Sequence, residues 1–445
     1  MRKLAVAFLA LCLSLSFCAA AQEDAQQRAL NVLGELSEGN FDAVYGQAAD
    51  VLKQAVGSAA GLEQVWTQLT DMLGTFESAA AQGVQAQAGY QTVALQCAFS
   101  RAEATFTLAF DEAGRLASLG LTSMTARETA EEAQDGRGYV EEQITLRAGE
   151  EDATGGLLTL PEGDGPFPAV VMVHGSGSSD MNETAYANAP FRDLAHGLAQ
   201  LGVASVRYDK YTYAHPENCT RADFTVDDEY TNDAVAAAQL LAEDSRIGSI
   251  YLLGHSQGAM LAPRIMQAVR EATGDRLGGG VLLAGSPLHM WEIQYQQNLD
   301  VIKTLEGEQR AQAQALIDAE VEKAGTLAAL SPEELQEQTV FGINAYYQAD
   351  EMSVDAIETA VCLNLPLFIA QGAKDWQVRP EDGIDRWREA LPEGFDATFK
   401  LYDNMNHMLA EAEGEMTGTA ADYMNADAHV SEALIQDIAT WILER

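Results

Sequence analysis

Tyr251-Leu252-Leu253-Gly254-His255-Ser256-Gln257-Gly258-Ala259-Met260 is the stretch on which the rest of the chain turns. The short apolar run over residues 249–253 ends in Gly-x-Ser-x-Gly and opens into a run of helical character over residues 259–270. Strand, tight turn and helix around a serine are the layout of a nucleophile elbow. The serine stands in a strained turn where backbone passes close to backbone, so the flanking positions have no room for β-carbons, and Gly254 and Gly258 meet that demand. With 37 glycines in the chain, Gly-x-Ser-x-Gly alone also arises by chance; the strand before it and the helix after it give it weight.

Outward from the elbow, short, fully apolar strands alternate with helices. Strands are expected at 168–173, 203–208, 249–253, 280–284, 366–370 and 397–401, with helices between them at 187–201, 231–242, 259–272, 381–390 and 430–443. Strands buried on both faces and alternating with helices imply an α/β fold with a doubly wound, mostly parallel sheet. Two further strands, 139–146 and 157–160, read as an antiparallel entry to it. The alternation breaks between Pro287 and Asn364, where a helical pattern without a clear strand predicts a cap, about 287–363, over the carboxyl edge of the sheet. A helical elaboration packed elsewhere on the sheet is the alternative.

The N-terminal part follows other rules. From Ala25 to Phe76 apolar residues recur with helical period, and from Tyr90 onward the pattern changes to strands at 90–99, 104–110 and 115–121, which together make a small accessory α+β domain over 22–124. Residues 125–138, rich in Glu, Ala, Asp and Gly, read as a linker to the domain 139–445.

Met1-Arg2-Lys3, an apolar run over residues 4–17 and the small residues Ala19 and Ala21 match a secretory signal peptide over 1–21, so a secreted or extracytoplasmic mature chain beginning at Gln22 is expected. Anchoring as a lipoprotein through Cys18 is the alternative, which the bulky Phe17 fits poorly. No later stretch is long and apolar enough to span a bilayer. The 26 Lys and Arg against 67 Asp and Glu give a net charge of −41, which repels nucleic acid, anionic membranes and polyanionic substrates. Cys97, Cys219 and Cys362 remain after residue 21; a Cys219–Cys362 bridge is conceivable, and buried free thiols are the expectation. No cluster has metal-ligand spacing, and no cofactor is expected.

A serine hydroxyl needs a base within hydrogen-bond reach and an acid to orient that base; behind a nucleophile elbow the chain order is Ser, then Asp or Glu, then His. Asp375 follows the strand 366–370 in Gln371-Gly372-Ala373-Lys374-Asp375, and His407 follows the strand 397–401 in Asn406-His407-Met408, both at the edge that carries Ser256. Asp382, Asp385 and Asp403 are rival acids, the first two inside a helical stretch and the third too near His407. His255, His289 and His429 are rival bases. The oxyanion of an acyl-transfer intermediate needs two backbone N–H donors, assigned to Gln257 after the nucleophile and to Ser176 in the loop His174-Gly175-Ser176-Gly177. His174 itself, with no second ligand beside it, is read as a brace of that loop.

His174-Gly175-Ser176-Gly177, Arg207-Tyr208-Asp209-Lys210, Gly254-His255-Ser256-Gln257-Gly258, Gly372 to Asp375 and Asn406-His407 together resemble the α/β-hydrolase superfamily, and within it secreted bacterial esterases and the serine aminopeptidase branch. The resemblance covers about 139–445; the N-terminal part is similar to a small domain of unknown function fused ahead of such hydrolases. Relatives often follow Tyr-Asp-Lys with Arg-Gly-x-Gly, whereas here Tyr211-Thr212-Tyr213-Ala214-His215-Pro216 follows. The resemblance implies an exported serine hydrolase acting on a small-molecule ester or a short peptide. An aminopeptidase would anchor the substrate ammonium on cap acids, for which Glu292, Glu320, Glu322, Asp350 and Glu351 are on offer. A binding protein on a hydrolase scaffold, its N-terminal domain meeting the cell envelope, glycan or substrate, is the reading from another class.

Overall fold

The structure, a computed structural model, describes residues 19–87, 90–111, 113–126, 137–303, 305–425 and 427–445. Residues 1–18, with Cys18, and most of the expected linker therefore lie outside it; Ala19–Ala21 belong to the first helix. The chain divides into two compact units, Met1–Asp135 with Ala185–Ala187 and Met424–Ala426, and the remainder.

In the first unit α1 (Ala19–Ser37), α2 (Phe41–Gln47), α3 (Asp50–Val56) and α4 (Ala59–Leu73) precede β1 (Phe76–Gln87), β2 (Tyr90–Phe99), β3 (Ala102–Phe110) and β4 (Leu116–Ala126). The four strands form one antiparallel meander in chain order. Side chains that alternate inward on β2 and β3, among them Val93, Phe99, Phe106 and Leu108, bury themselves with Leu33, Leu36, Leu62 and Trp66 of the helices. The sequence reading missed β1. Its run Phe-Glu-Ser-Ala-Ala-Ala-Gln-Gly-Val-Gln-Ala-Gln has almost no β-branched or aromatic residues, and it is a strand because β2 supplies a ladder along its whole length.

The second unit is built on β5 (Tyr139–Leu146), β6 (Thr154–Pro161), β7 (Phe167–Val173), β8 (Ala204–Tyr208), β9 (Ile247–His255), β10 (Leu277–Leu283), β13 (Leu367–Gly372) and β14 (Ala397–Tyr402), with the two-residue strands β11 (Thr339–Val340) and β12 (Ile343–Asn344) in between. The large sheet has the order β14-β13-β10-β9-β7-β8-β6-β5; β5 and β6 run antiparallel to their neighbours and the other six are parallel. Helices α5 (Pro190–Gln200), α6 (Tyr211–Ala214), α7 (Asn232–Glu243) and α8 (Gln257–Thr273) follow β7, β8 and β9. After β10 come α9 (Met290–Ile302), α10 (Gly307–Thr326), α11 (Pro332–Gln336), α12 (Ala345–Glu351) and α13 (Ala356–Leu363), and α14 (Ile384–Ala390) and α15 (Glu432–Leu443) close the unit. Two cores lie on opposite faces of the sheet. One holds Val171, Val206, Leu252, Ile265 and Trp387, the other Val170, Phe191, Leu253, Phe368, Leu434 and Ile438. Successive residues of one strand serve both, which is why the central strand β7 and the runs Ile250–Leu253 and Val281–Leu283 are continuously apolar.

The inserted segment is helical apart from the β11–β12 ladder, and Ser331 caps α11 in a capping box with Glu334. Cys97 is buried, Cys219 half-buried and Cys362 exposed, and all three are free. The expectation of buried thiols thus holds for Cys97 alone; Cys219 is only half-buried, and Cys362 sits exposed on α13.

Candidate active site

Three strand ends meet at one edge. β9 delivers Ser256, β13 leads to Asp375, and β14 leads to His407. Between β9 and α8 the chain must reverse within a few atoms. A β-carbon on Gly254 would overlap the Gly258 backbone, and one on Gly258 would overlap the Val173 and His174 carbonyl oxygens. Ser256 itself stands at φ 52° and ψ −117°, a conformation that costs an L-residue on the order of 1–3 kcal/mol and is held here by the packed strands on either side. Its N–H is fixed on Leu283 O at 2.9 Å.

His407 Nε2 lies 3.1 Å from Ser256 Oγ and His407 Nδ1 lies 2.8 Å from Asp375 Oδ2. With the proton on Nδ1, the ring donates to the carboxylate and its Nε2 lone pair faces the serine hydroxyl, as a general base requires. The Asp375 carboxylate is buried; its other oxygen accepts the Gln377 and Val378 N–H groups at 3.0 and 2.9 Å, which fixes the plane it offers to the imidazole. The rivals are engaged elsewhere: Asp382 with Arg379, Asp385 with Arg388, His289 with Glu351 and His429 with Asp193, while Asp403 is exposed.

Ser176 and Gln257 line the cavity together with Ser256 and His407. Gln257 is the first residue of α8, so its N–H has no acceptor within the helix and joins the positive end of the helix dipole. Burial pushes the His174 imidazole down to about 4, so it is neutral at physiological pH; its Nε2 meets Asp180 O at 3.0 Å and its ring packs on Phe191 and Tyr208, a brace for the loop as the sequence indicated.

Sequence reasoning assigned no role to three buried groups that hold this edge together. Lys210 Nζ lies within 2.8 Å of Gly175 O, Gly177 O, Tyr230 Oη and Glu229 Oε1. Tyr230 Oη also reaches Gln257 Oε1 at 2.8 Å. Glu229 and Tyr230 come from a π-helical turn, Asp227–Thr231, a local irregularity that turns both side chains inward ahead of α7. Glu183 is the third, its Oε1 accepting the Gly175 N–H at 2.5 Å. A lysine two residues behind the end of the buried β8 was the signal available for Lys210; nothing local marked Glu183.

The cavity, about 390 Å³, has Met260, Ile293 and Val378 in contact on one side and Phe224 and Tyr347 on another. Met290, Ile293, Ile343 and Tyr347 of the inserted segment are part of its wall, so the insertion does cover the carboxyl edge. Among the described residues no group of three or more His, Cys, Asp or Glu is placed to hold a metal ion, and no helix is long and apolar enough to cross a membrane.

Eight strands in this order, a serine elbow after β9 and a histidine after the last strand define an α/β-hydrolase. Residues 165–414 match the family described as serine aminopeptidase, S33, and the chain belongs to that family; it is a hydrolase. Residues 29–119 match a family described as protein of unknown function (DUF3887). The chain is 29% identical over 420 residues to the esterase EstD of Thermotoga maritima, covering 94% of this chain and 95% of that one. Among solved structures it is similar to Est1E from Butyrivibrio proteoclasticus (14% identity, 68% of this chain and 98% of that one, TM-score 0.42) and to the Pyrococcus furiosus esterase Pf2001 (13%, 72% and 95%, TM-score 0.42).

Proposed function

We propose that the chain is an exported serine hydrolase that cleaves carboxylic esters through an acyl-enzyme. Ester hydrolysis as the general activity is supported by the family and by a relative that carries the name esterase along nearly its whole length. The observation that carries the finer reading is the line from Ser256 Oγ through His407 to Asp375, with distances of 3.1 and 2.8 Å.

Ser256 Oγ attacks the ester carbonyl carbon as its proton passes to His407 Nε2. The carbonyl oxygen becomes an oxyanion between the Ser176 and Gln257 N–H groups, and Asp375 stabilises the imidazolium. Collapse breaks the carbon–oxygen bond to the alcohol, which leaves with the proton from Nε2. Water, deprotonated by the same nitrogen, then releases the acid and restores Ser256.

Amide cleavage at a free amino terminus is the second reading, and the cavity disfavours it. Such a site needs an unpaired carboxylate for the substrate ammonium. Among the described residues that line the cavity Glu229 is the single carboxylate, and it is tied to Lys210 at 2.6 Å. Of the cap acids, Asp350 pairs with Arg264, Glu351 with His289 and Glu320 with Lys323; Glu292 accepts the His289 N–H, and Glu322 is exposed. None of the five lines the cavity.

Export belongs to the same proposal and rests on the charged, then apolar, then small-residue pattern of residues 1–21. The test is a kinetic comparison of 4-nitrophenyl butyrate with aminoacyl 4-nitroanilides, alongside fluorophosphonate labelling of parent and Ser256→Ala. Ester turnover on the order of a hundredfold or more above the anilides in kcat/KM is expected, with labelling only in the parent. Faster anilide cleavage makes the chain a peptidase; an unlabelled parent makes it a binding protein.

A further inference from the structure

We propose that Glu183 and His255 form a positioning bridge that ties the loop carrying Ser176 to the backbone of His407, so that one buried pair holds both halves of the active site in register. The proposal rests on the reading that Ser256 and His407 do the chemistry.

His255 is the residue between Gly254 and Ser256 in the elbow, and its side chain is buried. Its Nε2 lies 2.8 Å from His407 O; a carbonyl oxygen only accepts, so this nitrogen carries a proton and donates. Its Nδ1 lies 3.0 Å from Glu183 Oε2, an ion-pair contact outside hydrogen-bond alignment, and among the described residues neither atom has a hydrogen-bond partner. The other Glu183 oxygen holds the Gly175 N–H, one residue ahead of Ser176. A single carboxylate therefore fixes the oxyanion loop directly and the catalytic histidine's main chain through one imidazole.

Glu183 is held for this at a cost. Its backbone stands at φ 54°, in the left-handed region that disfavours a β-carbon, and its side chain is 8% exposed. A strained, buried carboxylate persists where its surroundings over-determine it, and strain of this kind gathers at functional sites.

The atoms facing each other across the bridge form an ion-pair contact at 3.0 Å. Burial disfavours charge on both partners, yet each favours charge on the other: Glu183 is held below the usual carboxylate range and His255 above the ordinary imidazole value. The pair thus favours its imidazolium–carboxylate form. Around it stand His174, Lys210, Tyr230 and Asp375, and the His407 ring lies 5.0 Å from that of His255 between centroids. As pH rises through the raised His255 value, Nδ1 loses its proton and turns a lone pair toward the carboxylate. The bridge then opens, which gives turnover an alkaline limb distinct from the acid limb set by protonation of His407.

The experiment follows kcat and KM for 4-nitrophenyl butyrate from pH 5 to 10 in the full chain and in Glu183→Ala, Glu183→Gln and Ser256→Ala. Glu183→Ala is expected to lower kcat about 10- to 100-fold with KM within about threefold, because the reacting groups are misplaced rather than removed. Glu183→Gln is expected to recover most of that loss, since its amide oxygen accepts from Gly175 while its NH2 donates to a neutral His255. Its profile should lack the alkaline limb. Parental kcat in a Glu183→Ala chain with a native circular-dichroism spectrum overturns the bridge, and so does an alkaline limb in Glu183→Gln at the parent's pH. If Glu183→Ala does not fold, the Glu183→Gln profile decides alone. Turnover that persists in Ser256→Ala removes the functional reading and the bridge with it; its loss together with parental behaviour of the Glu183 variants removes the bridge alone.

Discussion

Lys210 Nζ stands 2.8 Å from Gly175 O, the oxygen of the peptide whose nitrogen belongs to Ser176. In a trans peptide the C=O and N–H point in opposite directions, so a grip on this oxygen turns the Ser176 N–H away from the lysine and toward the cavity. A second contact at 2.8 Å to Gly177 O secures the far side of the same residue. Orientation of the proposed oxyanion donor thus depends on a buried lysine, whose pKa desolvation pulls down while Glu229 at 2.6 Å opposes the fall.

Replacing that lysine is the first test. Lys210→Met should lower kcat by about 10- to 1,000-fold, the range associated with a lost oxyanion donor. It should also destabilise the fold by about 1–3 kcal/mol, because the largely covered Glu229 is left without its cation. Adding Glu229→Gln should return part of the stability without returning kcat. Urea unfolding and steady-state kinetics on the three chains separate the two effects.

Asp375 as the proposed acid is tested by three asparagines. Asp375→Asn should cut kcat by roughly 10²- to 10⁴-fold, since an amide facing Nδ1 favours the wrong imidazole tautomer. Asp382→Asn and Asp403→Asn, one paired with Arg379 and the other exposed, should change kcat by less than about tenfold. A large loss in Asp403→Asn with activity kept in Asp375→Asn would remove Asp375 from the mechanism.

Acid stability should depend on Glu141. Burial pushes its carboxyl up, but the hydrogen bond with His196 and the Arg207 guanidinium at 2.8 Å outweigh this and bring it down to about 2. A depressed carboxyl contributes stability above its unfolded value of about 4.3 and loses it as pH falls toward the folded value. Glu141→Gln should therefore cost on the order of 1–2 kcal/mol at pH 7, allowing for solvent screening at this partly exposed site. The gap to the parent should narrow between pH 4 and pH 2. Urea midpoints at pH 7, 4 and 3 measure it.

The three thiols beyond residue 21 should react in a fixed order. Burial, aided by Glu103, pushes Cys97 up to about 12, and burial with Glu229 and Glu217 pushes Cys219 up to about 11, whereas Cys362 is exposed. At pH 8 a disulfide reagent should modify one thiol per chain, at Cys362, and the other two only after denaturation. Peptide mapping of the modified site checks the assignment.

The sequence by itself determined what neighbouring residues encode. Apolar runs with no polar face could only be strands covered on both sides, and glycines on either side of Ser256 could only serve a turn without room for β-carbons. The strand-then-loop setting of Asp375 and His407 placed both at the edge that holds the serine, because parallel strands all end on one side. Tertiary structure decided the rest. β1 is a strand through its pairing with β2 and against its own alanine-rich composition. Sheet order, with β7 between β8 and β9, sets the loops after these strands side by side, and so brings Lys210 onto Gly175 and Glu183 onto His255. A buried charge is tolerable only where the finished fold supplies its partner, and a partner far along the chain leaves no trace in the local pattern of residues.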